Sequence, residues 1–136
     1  MIKGRKRHLL TDTLGLLWAR QVTSANTSDQ AGFRLAFLSV LLYLTHVVRV
    51  FADQGYRGLR AWLVSITGGH CVIEIVRAPA GQKGFAVQPK RWIVERTISW
   101  LGWSRRLSKD YEQTPSSSEA WMDVSAVRCV LRKLQA

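Results

Sequence analysis

The stretch VVRVFADQGYRGLRAWLVSITGGHCVIEIV, residues 47–76, decides the fold. Val47–Ala52 is a short apolar run rich in β-prone residues, and it ends in Asp53. Gly55 and Gly58 then turn the chain. Leu59, Trp62, Leu63 and Ile66 fall on one side of a short helix over Leu59–Thr67, which Gly68 and Gly69 stop. Cys71–Val76 is a second strand. Strand, helix and strand in this order predict a parallel βαβ unit with a right-handed crossover. The carboxylate at the end of the first strand has two readings. An Asp in a turn is ordinary, yet ligands of open α/β sheets collect beyond the carboxyl ends of the strands.

Upstream, KGRKRHLLTDTLGLLWARQV reads as a β-hairpin. Arg5–Thr11 is one arm, Asp12 to Gly15 carry turn chemistry, and Leu16–Val22 is the other arm. Asn26, Thr27, Ser28 and Asp29 offer helix caps, and Leu35, Leu38, Leu41 and Leu42 follow at helical spacing. A helix over about 28–44 is expected there. Downstream, Arg77–Gln88 reads as a loop, because it holds Pro79, Gly81 and Gly84. Pro89 suits the first turn of a helix running through Trp92 to about Trp103. Ser116 with Glu119 makes a capping-box pattern for a last helix ending near Lys133. The expected architecture is one α/β domain over 1–136, a mixed sheet with helices packed on it.

Of the 136 residues, 47% are apolar, which suits a buried core. Lys and Arg number 20 against 9 Asp and Glu, a net charge of +11. That balance favours a polyanion as partner, nucleic acid before an anionic membrane. No apolar run approaches the ~20 residues that span a bilayer, and no signal peptide is legible. Cys71 and Cys129 stand alone and read as small core residues in a reducing cytosol.

Nine acids in so basic a chain can be sorted one by one. Asp12 belongs to the hairpin turn and Asp29 to a helix first turn. Glu74 lies mid-strand, and Asp110 and Glu112 lie on a polar segment. Glu119 and Asp123 sit near the start of the last helix, where the macrodipole favours acids. Asp53 and Glu95 remain. Glu95 stands in RWIVERTISW with Arg91 one turn before it, placed to orient it. Taken singly, Glu95 is better explained by a solvated ion pair, and only its pairing with Asp53 favours the functional reading. Two hard oxygen ligands from a strand end and a helix would suit Mg²⁺ or Mn²⁺ in phosphoryl transfer, where two metals ~4 Å apart serve the attacking and leaving oxygens.

Together, GRKRHLLTDTLGLLWARQVTSAN, VFADQGYRG and RWIVERTISWLGWSRRLSKDYE resemble the DDE transposases of bacterial insertion sequences. The resemblance spans nearly the whole chain. It implies a ribonuclease-H-like catalytic domain in which two Asp and one Glu hold two divalent metals. Such an enzyme hydrolyses a phosphodiester at the element's end, and the freed 3′-hydroxyl attacks target DNA. On this resemblance Asp53 matches the second Asp, Glu95 the Glu, and Arg91 the Arg of the motif around that Glu. Gln88 stands where related elements carry a Tyr, and Gly102 where the wider family has a basic residue. In the family the first Asp lies on a strand upstream of KGRKRHLL, between the hairpin and the Val47–Ala52 strand. The chain starts at Met1, so that central strand and its Asp are expected to be absent. The resemblance therefore implies a truncated or split-frame copy, inactive alone. An upstream fragment or full-length transposase would be its further partner, and the bacterial cytoplasm, close to the nucleoid, its location.

Lys3, Arg5, Lys6 and Arg7, and then Arg105, Arg106 and Lys109, are the candidate DNA contacts. Arg128, Arg132 and Lys133 fit the solvated face of the last helix. Trp92, Trp100 and Trp103 either anchor their helix to the sheet or stack on an unpaired base. The alternative function is a non-catalytic DNA-binding remnant that competes with full-length transposase. In that case the basic residues matter and the carboxylates do not.

Overall fold

Asp12 organises the first turn. Its Oδ1 accepts hydrogen bonds from the backbone N–H of Leu14 (2.8 Å) and Leu16 (2.9 Å). Gly15 takes the left-handed conformation, φ +81°, that closes the reversal. In the computed structural model, which describes residues 4–76, 81 and 90–136, this turn joins β1 (Arg5–Thr11) to β2 (Leu17–Ser24). A bulge near the turn pairs Thr11 with Leu17 and Leu10 with Ala19, leaving Trp18 as the extra residue. The second arm thus runs two residues beyond the expected Val22 and begins one later. Lys3, the Arg77–Gln88 loop apart from Gly81, and Pro89 lie outside the described residues.

Strand alternation sends the two faces of β1 in different directions. The even residues face α1 (Asp29–Val40). Lys6 Nζ donates to the Thr27 carbonyl (3.0 Å) and to Asp29 Oδ1 (3.1 Å), and the buried His8 ring lies against Gly32. A Cβ at Gly32 would overlap that ring, so glycine permits the close approach of helix to strand. The odd residues face the other way, toward the chain around Leu107 and the last helix. Leu9 packs there against the buried cluster of Val22, Leu101, Leu107 and Met122. The hairpin is therefore a wall between two cores.

The second core contains the βαβ unit. β3 (Arg49–Ala52) and β4 (Val72–Ile75) pair in parallel, Val50 opposite Ile73. The crossover is a 3₁₀ turn over Gln54–Leu59 followed by α2 (Arg60–Ile66). Phe37, Leu44, Val50, Leu59, Leu63, Cys71 and Ile73 fill the space between α1, α2 and the strands. Burial raises the thiol pKa of Cys71, which fits its reading as a core residue. α1 stops four residues before the expected limit, where Leu41–Tyr43 tighten into a 3₁₀ turn.

The expected single mixed sheet is corrected by the pairing. Among the described residues β1 pairs only with β2, and β3 only with β4, giving two separate two-stranded sheets. No strand among the described residues bridges them, and an apolar cleft stands between β1 and β3. α3 (Arg91–Gly102) and the 21-residue α4 (Pro115–Gln135) complete the layers.

α4 begins differently from its sequence signature. Its cap is Thr114, whose side chain accepts from the N–H of Ser117, and Pro115 occupies the first turn. Ser116 is therefore not the cap. Glu119 has another task, since its Oε1 accepts from the Val22 N–H (2.8 Å) and from Gln21 Nε2 (3.1 Å). Arg20 Nη2 reaches Asp123 at 2.5 Å beside it. These acids fasten the helix to β2.

α3 docks through the hairpin turn. Thr97 Oγ1 donates to the Gly15 carbonyl (2.8 Å), and Arg96 Nη2 to the Leu14 carbonyl (2.9 Å). Lys133 Nζ from α4 donates to that same Leu14 carbonyl (2.7 Å). Thr97→Val keeps the shape and removes the donor to a buried carbonyl. It should cost about 1–3 kcal/mol in urea unfolding.

His8 gives a pH signature. Burial lowers its pKa below the ordinary value, the Asp29 carboxylate opposes that shift and the Lys6 ammonium adds to it. The unfolded histidine binds its proton at about 6.5, the folded one only at lower pH. This stability is therefore fully present above pH ~6.5 and is lost as pH falls toward the folded value. Unfolding midpoints measured from neutral pH down to about 5 should fall, and His8→Gln should weaken that dependence.

Candidate functional site

The chain leaves β3 at Ala52 and turns at once. Asp53 is the cap of the 3₁₀ turn, with Oδ1 accepting from the Gly55 N–H at 2.9 Å. A Cβ at Gly55 would stand 3.2 Å from that oxygen, so glycine leaves the carboxylate room. Gln30 of α1 donates from Nε2 to the Gly55 carbonyl (2.9 Å). Tyr56 packs edge-on to Phe33 (ring centroids 5.8 Å), and Leu59 is fully buried. These contacts hold a solvent-exposed carboxylate on a pinned loop. The other oxygen, Oδ2, makes no hydrogen bond to a described residue, so the turn uses only half of the carboxylate.

Glu95 reaches the same cleft from the opposite wall. The cleft has a volume of about 300 Å³. Leu9 and Leu10 of β1 form one side, Val50 to Ala52 of β3 with Asp53 just beyond it the other, and Val94 and Glu95 of α3 close it. The two acids singled out in the sequence thus share one cavity. Arg91 opens α3 one turn before Glu95, but its side chain, and with it the orienting role assigned to it, lies outside the described residues.

Two residues that the sequence reading passed over also line the cleft. Lys90 sits in the left-handed conformation (φ 72°) just before α3, its Nζ 3.6 Å from the centroid of the Phe51 ring. Tyr56 is the other, its phenol pKa raised first by burial and then by the Asp29 and Asp53 carboxylates. The signal for Lys90 was faint, a single cation ahead of Arg91 in a run of basic residues.

Asp53 and Glu95 have the hard oxygen donors that Mg²⁺ or Mn²⁺ prefers. The set is short, however. Among the described residues no group of three or more His, Cys, Asp or Glu side chains gathers to hold a metal ion. Asp12 is occupied in its turn, as the sequence implied.

The basic residues divide into two kinds. Arg5 is spent inside the fold, donating to the Glu112 carbonyl (2.8 Å), the Gln113 carbonyl (2.5 Å) and Asp110 (3.3 Å). Arg7 donates to the Leu107 carbonyl (2.7 Å), and Lys6 is tied to α1 as described above. These three brace β1 to its neighbours on both faces. Arg105, Arg106 and Lys109 are exposed after α3. Arg106 lies over Trp121 (5.4 Å) and 3.6 Å from Glu112. For Arg105 no side-chain partner is found among the described residues.

Trp100 packs against Gly15 of the hairpin turn and helps Thr97 and Leu101 anchor α3 there. Arg96 is layered between Trp92 (4.4 Å) and Trp100 (4.6 Å). Trp92 is exposed, and Trp103, just past the end of α3, is 69% exposed.

The chain is α/β, with one carboxylate at a strand end and one on a helix lining the same cleft. The family model described as the transposase DDE domain matches residues 2–129, and the chain belongs to that family. Membership implies a ribonuclease-H-like fold and an enzyme of the transposase or nuclease type that acts on DNA with divalent metal ions. No curated protein and no solved structure matches the chain. Among the described residues no helix is long and apolar enough to cross a membrane.

The pinned turn can be tested directly. Gln30→Ala leaves the Gly55 carbonyl without its donor and should cost about 1 kcal/mol. Amide exchange across residues 54–59 should quicken, while exchange in the β1–β2 ladder stays as it was.

Proposed function

We propose that the chain is the catalytic-domain portion of an insertion-sequence transposase, with Asp53 and Glu95 as two of three metal-binding carboxylates. The observation that carries the reading is their meeting on one cleft from separate elements, within a chain of this family. Bound there, Mg²⁺ or Mn²⁺ would polarise a phosphodiester and lower the pKa of an attacking water. The protein's own contribution is positional. The capped turn fixes Asp53, and α3, tied to the hairpin, fixes Glu95. Lys90 supplies a positive charge where a phosphate would approach. Arg105, Arg106 and Lys109 would hold DNA beside the site, with Lys3 and the remaining donors of Arg5, Lys6 and Arg7 as weaker contacts.

A third carboxylate is needed, and the described residues do not assemble one. The cleft between β1 and β3 supports a source for it. Each of these strands has one partner among the described residues, and apolar side chains from both line the space between them. An additional strand carrying an Asp, from an upstream transposase fragment or a full-length transposase, would satisfy two open edges at once. On this reading the 136-residue chain alone is inactive and gains activity with such a fragment.

The assay is cleavage of an element end with Mg²⁺ or Mn²⁺. The chain alone should cleave nothing measurable, and the chain with the strand-bearing fragment should cleave. Asp53→Asn or Glu95→Gln in that mixture should reduce the rate on the order of a thousandfold, equivalent to several kcal/mol of lost charge stabilisation. Cleavage that survives both substitutions would sink the assignment. DNA binding without any cleavage, in competition with full-length transposase, would support the remnant reading.

A further inference from the structure

A second cavity, of about 220 Å³, lies on the far side of α3 from the carboxylates, between the end of that helix and the C-terminal half of α4. Trp100, Trp103, Arg128, Cys129, Arg132 and Lys133 form most of its wall. The face of α4 that is buried at Ser118, Met122 and Ser125 continues along this wall, with the hairpin turn touching only its edge at Cys129 and Lys133. Among the described residues no acidic side chain lines the cavity, and Ala136, the last residue of the sequence, borders it beside three cations. Arg128 and Arg132 form no ion pair among the described residues. Lys133 stands 4.8 Å over Trp100, and Arg96 covers another part of the same ring system. Trp103 is left open, at 69% exposure.

We propose that this groove binds unpaired nucleotides of a DNA strand, with Trp103 as the stacking platform and Arg128 and Arg132 as phosphate contacts. The proposal takes the identity of the strand as DNA from the transposase reading and adds a site distinct from the carboxylate cleft. The chemistry matches that of a single strand. An unpaired base offers a π-face to an exposed tryptophan, whereas a duplex hides its base faces and presents mainly phosphates. Closely spaced cations without acids select a polyanion. A second copy of the same chain is a poor occupant, because two chains of net charge +11 would bring like-charged surfaces together.

Binding of a short oligo-dT strand is measured by anisotropy and by quenching of tryptophan emission, in EDTA so that the metal site plays no part. Oligo-dT should bind more tightly than a duplex of equal length. Trp103→Ala should weaken it roughly tenfold, while Trp103→Phe keeps most of the affinity. The Arg128→Ala, Arg132→Ala double variant should lower the slope of log K against log salt by about 1.4. These side chains are exposed, so the melting temperature should be that of the parent chain. Duplex binding as tight as that of oligo-dT would overturn the proposal. So would variants that bind oligo-dT like the parent, or self-association of the parent that Trp103→Ala abolishes. Failure here leaves the carboxylate cleft untouched, and failure of cleavage leaves this groove untouched.

Discussion

The turn closed by Asp12 is the constraint on which the remaining packing depends. A single carboxylate gathers the N–H groups of Leu14 and Leu16, and Gly15 completes the reversal. The carbonyls of Leu14 and Gly15 are thereby turned outward. Arg96 and Thr97 of α3 and Lys133 of α4 all donate to these two oxygens. The Gly15 carbonyl is buried and needs the Thr97 donor, so the turn helps to set where α3 sits, while α4 reaches only the exposed Leu14 carbonyl. It fixes Glu95 indirectly, because α3 carries it. The nearest contact to Gly15 also explains its smallness, since an added Cβ would stand 3.0 Å from both Arg96 and Thr97.

Charge is used economically in this chain. Most of the basic residues near β1 are consumed in bonds to carbonyls and acids of neighbouring segments. Among the described residues, Arg105, Lys109, Arg128 and Arg132 near the ends of α3 and α4 form no ion pair, and neither do Arg34, Arg57 and Arg60 on the other side of the fold. The net charge of +11 therefore overstates the surface available to a polyanion and says little of where it lies. A positive residue in a strand is judged by which face it occupies and what covers that face.

Much of the fold was legible because its signals are local. Asp12 and Gly15 mark a turn through their own backbone chemistry, and Asp53 before Gly55 does the same. The spacing of Leu59, Leu63 and Ile66 marked α2 to within about a residue. Asp53 and Glu95 line one cleft, and the roles given to them come from family resemblance. What failed to show was long-range. Ser116 and Glu119 have the spacing of a capping box, yet Thr114 caps the helix and Glu119 serves β2. Arg5 and Arg7 share a face as alternation requires, but only tertiary structure shows that residues 107–113 cover it. The division into two sheets was equally hidden, because strand composition does not say which edges meet.

Glu119 has an effect beyond fastening a helix. By taking the Val22 N–H it stoppers the outer side of β2, the side on which another chain's backbone would otherwise dock. Among the described residues no side chain takes a backbone N–H of β1 in this way, and β1 faces the cleft lined by Asp53 and Glu95. The two edges of the hairpin therefore differ, one closed by a carboxylate from α4 and the other facing apolar space.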